Sequence, residues 1–310
     1  MTEPSLACRL EHETAGGIIG SWAVEVRQGR VMGLHAQWPA PAGDRGVCAG
    51  AAERSGSRRE GSARAVQGSM RRVAITEPVD AALVIGSMQP IDTVDQAAVG
   101  KLGATVVRRR SGGGAVFVAP GAQLWIDFFV PQDDPLAGDL VRSACDVGRM
   151  WVEAIEAPAG RVRSSAAYPA PAIPALSAVP AVPAYPASAG SVASEAPPLE
   201  IFRGRADRQG WGRLACFASP GPGEVLAGGR KVVGMAGRRT RHGTWFQTMA
   251  PIEWDPTRVP ACLMLTAHER IDLAGELESS VTPLPGIADP VAVLGAFLWN
   301  LQHSCPGKSR

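Results

Sequence analysis

The 310-residue chain has little net charge, little lysine and little cysteine. It carries 31 basic and 29 acidic side chains, a formal net charge of +2. That balance excludes a protein built mainly to coat nucleic acid, which needs a strong basic excess. No apolar run reaches about 18 residues, so no membrane-spanning helix is expected. Met1-Thr2-Glu3-Pro4 lacks a basic stretch leading into an apolar one, so the expectation is no secretory leader and a cytoplasmic protein. The cysteines are Cys8, Cys48, Cys145, Cys216, Cys262 and Cys305. None forms a C-x-x-C pair, so no disulfide framework is expected. His12, His35, His242, His268 and His303 share no metal-ligand spacing with each other or with a cysteine, and no structural zinc is expected.

Lysine is the sharpest shortage. Lys101, Lys231 and Lys308 are the only three. Arginine stays charged everywhere, whereas a lysine's proton affinity can be tuned by its surroundings. Lys231 alone sits in a Gly-rich apolar segment.

What the chain has in excess is 36 Gly and 26 Pro, which signals low-complexity segments. Residues 39–69 are mostly Gly, Ala, Ser and Arg without apolar periodicity. No charged residue stands between Arg163 and Glu195, where Ala, Pro, Val and Tyr repeat. Proline at that density forbids helix and central strand. The expected organisation is an N-terminal tail over 1–19 and a single domain over 20–305. Flexible insertions interrupt that domain at about 39–69 and 158–200.

Within the domain, residues 22–26, 72–75, 81–85, 105–107, 115–118, 123–130, 224–227, 231–235 and 244–249 read as strands. Gly228-Gly229 reads as a hairpin turn. Asp92 is expected to cap a short helix, and Asp134-Pro135 to open a long amphipathic one. Asp289-Pro290 opens a C-terminal helix, with Val291, Leu294, Phe297, Leu298 and Leu301 on its apolar face. The fold class is α+β, a mixed, largely antiparallel sheet flanked by helices.

Three segments could carry chemistry. In Arg108-Arg109-Arg110-Ser111-Gly112-Gly113-Gly114-Ala115-Val116-Phe117 the glycines let the backbone approach a ligand, and arginines add fixed charge. No Gly-Lys-Ser/Thr follows, and the glycines lead into a strand rather than a helix. This is neither a nucleotide P-loop nor a dinucleotide fingerprint. The alternative is a plain hairpin connection. In Gly229-Arg230-Lys231-Val232-Val233-Gly234-Met235-Ala236, Gly234 keeps the strand thin, as if a backbone or ligand passed close by. The bland alternative is an exposed hairpin lysine. In Ala215-Cys216-Phe217 the cysteine is either a small core residue or a nucleophile activated by a nearby lysine. Glu224 either binds a metal or pairs with Arg230.

The first two segments closely resemble the signature motifs of the lipoate–protein ligase A family, which groups with biotin–protein ligases and octanoyltransferases. The resemblance covers roughly 70–130 and 211–255. It implies the biotin/lipoyl ligase-like catalytic domain. It also implies activation of lipoate or octanoate with ATP and Mg²⁺, then attachment to a lysine of a lipoyl carrier domain. The carriers would be those of 2-oxoacid dehydrogenases or a glycine-cleavage H-type protein. Lys231 would face the substrate carboxylate and α-phosphate. Arg109, Ser111, Gly112, Gly113, Gly114, Gly234 and Ala236 would line the acyl and adenylate pocket.

The chain also departs from that family. Val118, Ala119, Gly121 and Ala122 stand where ligases carry a His-Asp pair and Gly-Asn. Pro222-Gly223-Glu224 replaces an Asn-Asp pair, and Gln247 a histidine. A sister group transfers octanoyl from acyl carrier protein without ATP, through a cysteine. Some of its members resemble this chain in an A-C-F segment 15 residues before the lysine. There Cys216 would carry the acyl group and Lys231 would acidify the thiol. A non-catalytic protein that binds an acyl group or a carrier domain is the alternative from another class.

Overall fold

The computed structural model describes residues 13–19, 22–36, 70–157, 197–206 and 209–303. Residues 39–69 and 158–196, the bulk of the expected insertions, lie outside the described residues.

Eight strands form one sheet in the order β1-β2-β3-β7-β11-β10-β9-β8. They are β1 (Glu13–Ile19), β2 (Trp22–Gly29), β3 (Arg71–Pro78), β7 (Gln123–Pro131), β8 (Leu199–Ile201), β9 (Val225–Ala227), β10 (Arg230–Thr240) and β11 (Gly243–Pro251). Only β2 and β3 run parallel; every other neighbour is antiparallel. A second sheet has the order β5-β4-β6, from β4 (Ala81–Ile85), β5 (Ala104–Arg108) and β6 (Val116–Val118). The class is the expected α+β. Glu13–Ile19 lay in the expected tail, yet it forms β1 against β2. Leu199–Ile201, inside the expected second insertion, forms β8 against β9.

Each large-sheet face meets its own core. On one side α3 (Leu140–Glu156) and α6 (Pro290–His303) bury Trp151, Ile155, Phe297 and Leu301 against Phe128, Phe246 and Val232. Phe128 sits edge-on between Trp22, 6.1 Å away, and Phe297, 5.6 Å away. The small sheet packs in the second core, with α4 (Arg258–Ala261) and α5 (Ala267–Ser280). That core contains Val84, Val116, Ala215 and Phe217, so the chemistry-bearing segments meet there.

Several local expectations shift. Asp92 falls in a single 3-10 turn. The helix α2 (Gln96–Lys101) is capped by Asp95, whose carboxylate accepts from the Ala98 amide at 2.9 Å. Asp134-Pro135 opens only a 3-10 turn, which ends at Gly138. The long helix starts afresh at Leu140, capped by Asp139. Val291 is 58% exposed, so the buried face of α6 is Val293, Ala296, Phe297, Leu298 and Leu301. The helix α5 went unforeseen because its apolar stripe is sparse. Its start is nevertheless written as a capping box, Thr266 with Glu269. The short α1 (Val31–Ala36) was missed because one and a half turns leave too few residues for a period to show. Among the described residues no helix is long and apolar enough to cross a membrane.

Phe128→Ala would empty the centre of the first core. It is expected to cost about 3–5 kcal/mol, read from the denaturant midpoint.

Candidate active site

The glycine loop is built to be touched. Gly113 has φ 101°, a left-handed value that favours glycine, and a Cβ there would lie 2.7 Å from the Arg109 guanidinium. A Cβ on Gly114 would lie 2.6 Å from the Ala215 amide. This close approach lets the loop pair with the cysteine segment. The Ala115 amide donates to the Leu214 carbonyl at 2.7 Å, and the Cys216 amide to the Ala115 carbonyl at 2.8 Å. The segments recognised separately in the sequence are therefore joined backbone to backbone.

Arg109 is buried and turned inward. Its guanidinium donates to the carbonyls of Gly112 at 2.8 Å and Gly114 at 2.9 Å. It shapes the loop and also borders the cavity onto which Cys216 opens. Ser111 is also buried, and its hydroxyl donates to Gln247 Oε1 at 3.0 Å. Gly112 is exposed, with open space where a side chain would go.

Lys231 is not an exposed hairpin lysine. It is 2% exposed. Its ammonium donates to the carbonyls of Cys216 at 2.8 Å and Ser219 at 2.7 Å, and lies 2.7 Å from Glu224 Oε2. These three contacts match the three donors of an ammonium. The Phe217 ring lies under the same nitrogen, 5.1 Å away. Glu224 was expected to bind a metal or pair with Arg230. Its carboxylate instead meets Lys231 and accepts from the amides of Gly221 at 2.6 Å and Met235 at 2.9 Å. Burial pushes its proton affinity up, and Lys231 and the amides oppose this. Arg230 points away, to the carbonyls of Val281 and Glu278. Register explains the swap. Lys231 faces inward on β10 beside the 3-10 turn Cys216–Ala218, while Arg230 faces outward. No group of three or more His, Cys, Asp or Glu that could hold a metal occurs among the described residues.

Cys216 opens onto a cavity of about 50 Å³ between the two sheets. Val116, Val118, Trp125 and Met249 supply its apolar walls, and Gly234 and Ala236 also line it. A Cβ on Gly234 would lie 2.7 Å from the Phe217 ring, so that ring, not a ligand or backbone, explains the thin strand. The thiols of Cys145 and Cys262 are buried elsewhere. Burial pushes Cys262 up to about 11.

One lining residue escaped the sequence reading. His35, on α1, stacks near Trp125 at 4.9 Å, and its Nδ1 lies 3.1 Å from Gln247 Nε2. Because Ser111 donates to Gln247 Oε1, Gln247 offers its amide N–H to His35. This makes Nδ1 the acceptor and leaves the proton on Nε2. Burial, then the charge of Arg109, lowers His35 to about 3. It is a neutral imidazole throughout the working range. A lone His with no partner motif gave no signal in the sequence.

Residues 64–163 match the model of the lipoyl protein ligase A/B catalytic domain. The chain is thus an enzyme of the ligase or acyltransferase type. A bipartite lipoate protein ligase of Thermoplasma acidophilum, described with its E2 lipoyl domain, is 16% identical. The alignment covers 75% of this chain and 70% of that one, with a TM-score of 0.50. This likeness is one of fold. A T. acidophilum protein with bound lipoic acid and a lipoate-protein ligase A bound with ATP each give 15% identity and a TM-score of 0.47. Each alignment covers 76% of this chain and 73% of the other. No curated protein matches the sequence. The matched stretch holds β3 to α3 and the glycine loop. Cys216, Lys231 and Glu224 lie beyond it.

Two outcomes follow for this site. Lys231→Ala leaves Glu224 buried without its cation, which is expected to cost about 3–5 kcal/mol in denaturant unfolding. His35 stays neutral in the folded state while the unfolded chain protonates near 6.5. Its contribution therefore falls as pH drops below about 6.5. Asp127, raised to about 7 by burial, acts in the opposite direction, so the His35 effect is read as a difference. Between pH 7 and 5, wild type should lose about 2 kcal/mol relative to His35→Asn.

Proposed function

We propose that this chain transfers an octanoyl or lipoyl group to a lysine of a lipoyl carrier domain, with Cys216 as the nucleophile. One observation carries the reading: Cys216 is the thiol at the apolar cavity, on a turn whose carbonyl is gripped by Lys231. The Cys216 thiolate attacks the carbonyl of an acyl thioester on a carrier protein. The S–acyl bond to Cys216 forms as the acyl bond to the carrier sulfur breaks, and the carrier thiolate takes up the proton that Cys216 gave up. The carrier-domain lysine amine then attacks the new thioester. An amide forms, and Cys216 leaves as a thiol with the proton the amine gives up. Neither step needs ATP.

In this reading Lys231 is a positioning residue. It holds the carbonyls of Cys216 and Ser219 and sets a positive charge under the turn, balanced by Glu224. Neutral His35 and Gln247 support Ser111 at the polar end of the cavity. The acyl donor is an acyl carrier protein. The acceptor is the lipoyl domain of a 2-oxoacid dehydrogenase or a glycine-cleavage H-type protein, and the reaction takes place in the cytoplasm.

The second reading is an ATP-dependent lipoate–protein ligase, favoured by the two motifs around Arg109 and Lys231. The residues present fit Mg²⁺ and ATP poorly. Arg109 and Lys231 direct their donors to backbone carbonyls and Glu224, and both Glu224 oxygens accept from the protein. No step is derived through the nucleotide.

Intact-mass analysis of an apo lipoyl domain separates the readings. Modification is expected with octanoyl carrier protein alone. Cys216→Ala should lower it at least about a hundredfold, as expected when a covalent nucleophile is lost. Modification only with lipoate, ATP and Mg²⁺, unaffected by Cys216→Ala, would establish the ligase. Binding of the lipoyl domain with modification under neither condition would favour the non-catalytic alternative.

A further inference from the structure

We infer that Met249 is a movable end wall that limits acyl-chain length, and that a second cavity behind it takes longer chains when it is cut back. This deepens the acyl-transfer reading and rests on it for the nature of the ligand. The observation is that Met249 lines both the inner cavity and an open cavity of about 560 Å³ on its far side. It is the one residue the two share.

Two paired strands cross the boundary at the same level, and a third lies between the cavities. Along β11, Gln247 lines the inner cavity and Pro251 the outer, with Met249 between them. On β7, Trp125 is the register partner of Met249 and lines the inner side. Gln123 is the partner of Pro251 and lines the outer side. On β6, Val116 and Val118 face the inner cavity and Phe117 the outer.

The polar end is Gln247 with Ser111 and His35, beside the cysteine segment. Met249 lies two residues farther along an extended strand, about 7 Å away. An acyl group held by its carbonyl near Cys216 therefore runs its tail at Met249. The inner cavity is small. At the ~10–15 Å³ that one water requires, it has room for only a few methylenes. Anything longer must push the wall aside. Methionine suits that task, because it is unbranched, half-buried here, and turns about three bonds.

The test uses the purified full chain. Hexanoate, octanoate and dodecanoate compete against a fluorescent fatty acid, and in parallel octanoyl and dodecanoyl carrier proteins are offered with an apo lipoyl domain. Wild type should favour octanoate over dodecanoate. Met249→Ala should shift that ratio toward dodecanoate by at least about tenfold, since each added buried methylene counts. Met249→Trp should weaken octanoate about tenfold and spare hexanoate, by overpacking the wall. Met249→Leu, close in volume, should keep the wild-type ratio. Unchanged ratios in folded Met249→Ala and Met249→Trp would overturn the inference, as would a wild type that binds none of the three acids. Should Met249→Ala not fold, Met249→Trp decides. A shifted binding ratio without any transfer would uphold the wall and sink the acyl-transfer reading.

Discussion

The site depends on one buried cation and the carbonyls it holds. Lys231 has left water entirely, and desolvating an ammonium costs several kcal/mol. Glu224 offsets part of that cost, and the carbonyls of Cys216 and Ser219 offset more. The contact is mutual. The ammonium needs those carbonyls, and the short turn that bears Cys216 needs a donor to hold its shape. A lysine supplies three donors at one point, which no apolar residue could replace there.

From that anchor the rest follows outward. The turn holds Cys216 against Ala115, and Ala115 follows the glycine loop. Arg109 ties the loop carbonyls, so an internal cation holds the loop's shape. Lys231, Arg109 and Glu224 all act on the scaffold. Arg109 also borders the cavity, beside Cys216, neutral His35, Gln247 and apolar walls.

The cavity lies where the two sheets approach. The large sheet presents Trp125, Gln247 and Met249 on the face away from α3 and α6. The small sheet closes the other side with Val116 and Val118. Alternation along β11 separates Gln247 and Met249 from Thr248, whose hydroxyl accepts from the Trp151 indole at 2.9 Å in the helical core. One strand therefore serves a structural core and a site at once.

The sequence by itself determined most of the strands, β1 and β8 excepted, because alternation and turn glycines are local. It determined the α+β class and singled out the glycine loop, the lysine hairpin and Cys216, because rare residues in Gly-rich apolar segments stand out. The helix starts expected at Asp92 and Asp134 fall a turn early, because a 3-10 turn precedes each helix, and the caps are Asp95 and Asp139. Tertiary structure alone decided what each charge faces. Glu224 meets Lys231 instead of Arg230, Arg109 meets its own loop, and His35 reaches Gln247 from 212 residues away. Those pairings depend on strand register and on which face of a sheet is buried. Both are set by the whole core, and no window of sequence contains them.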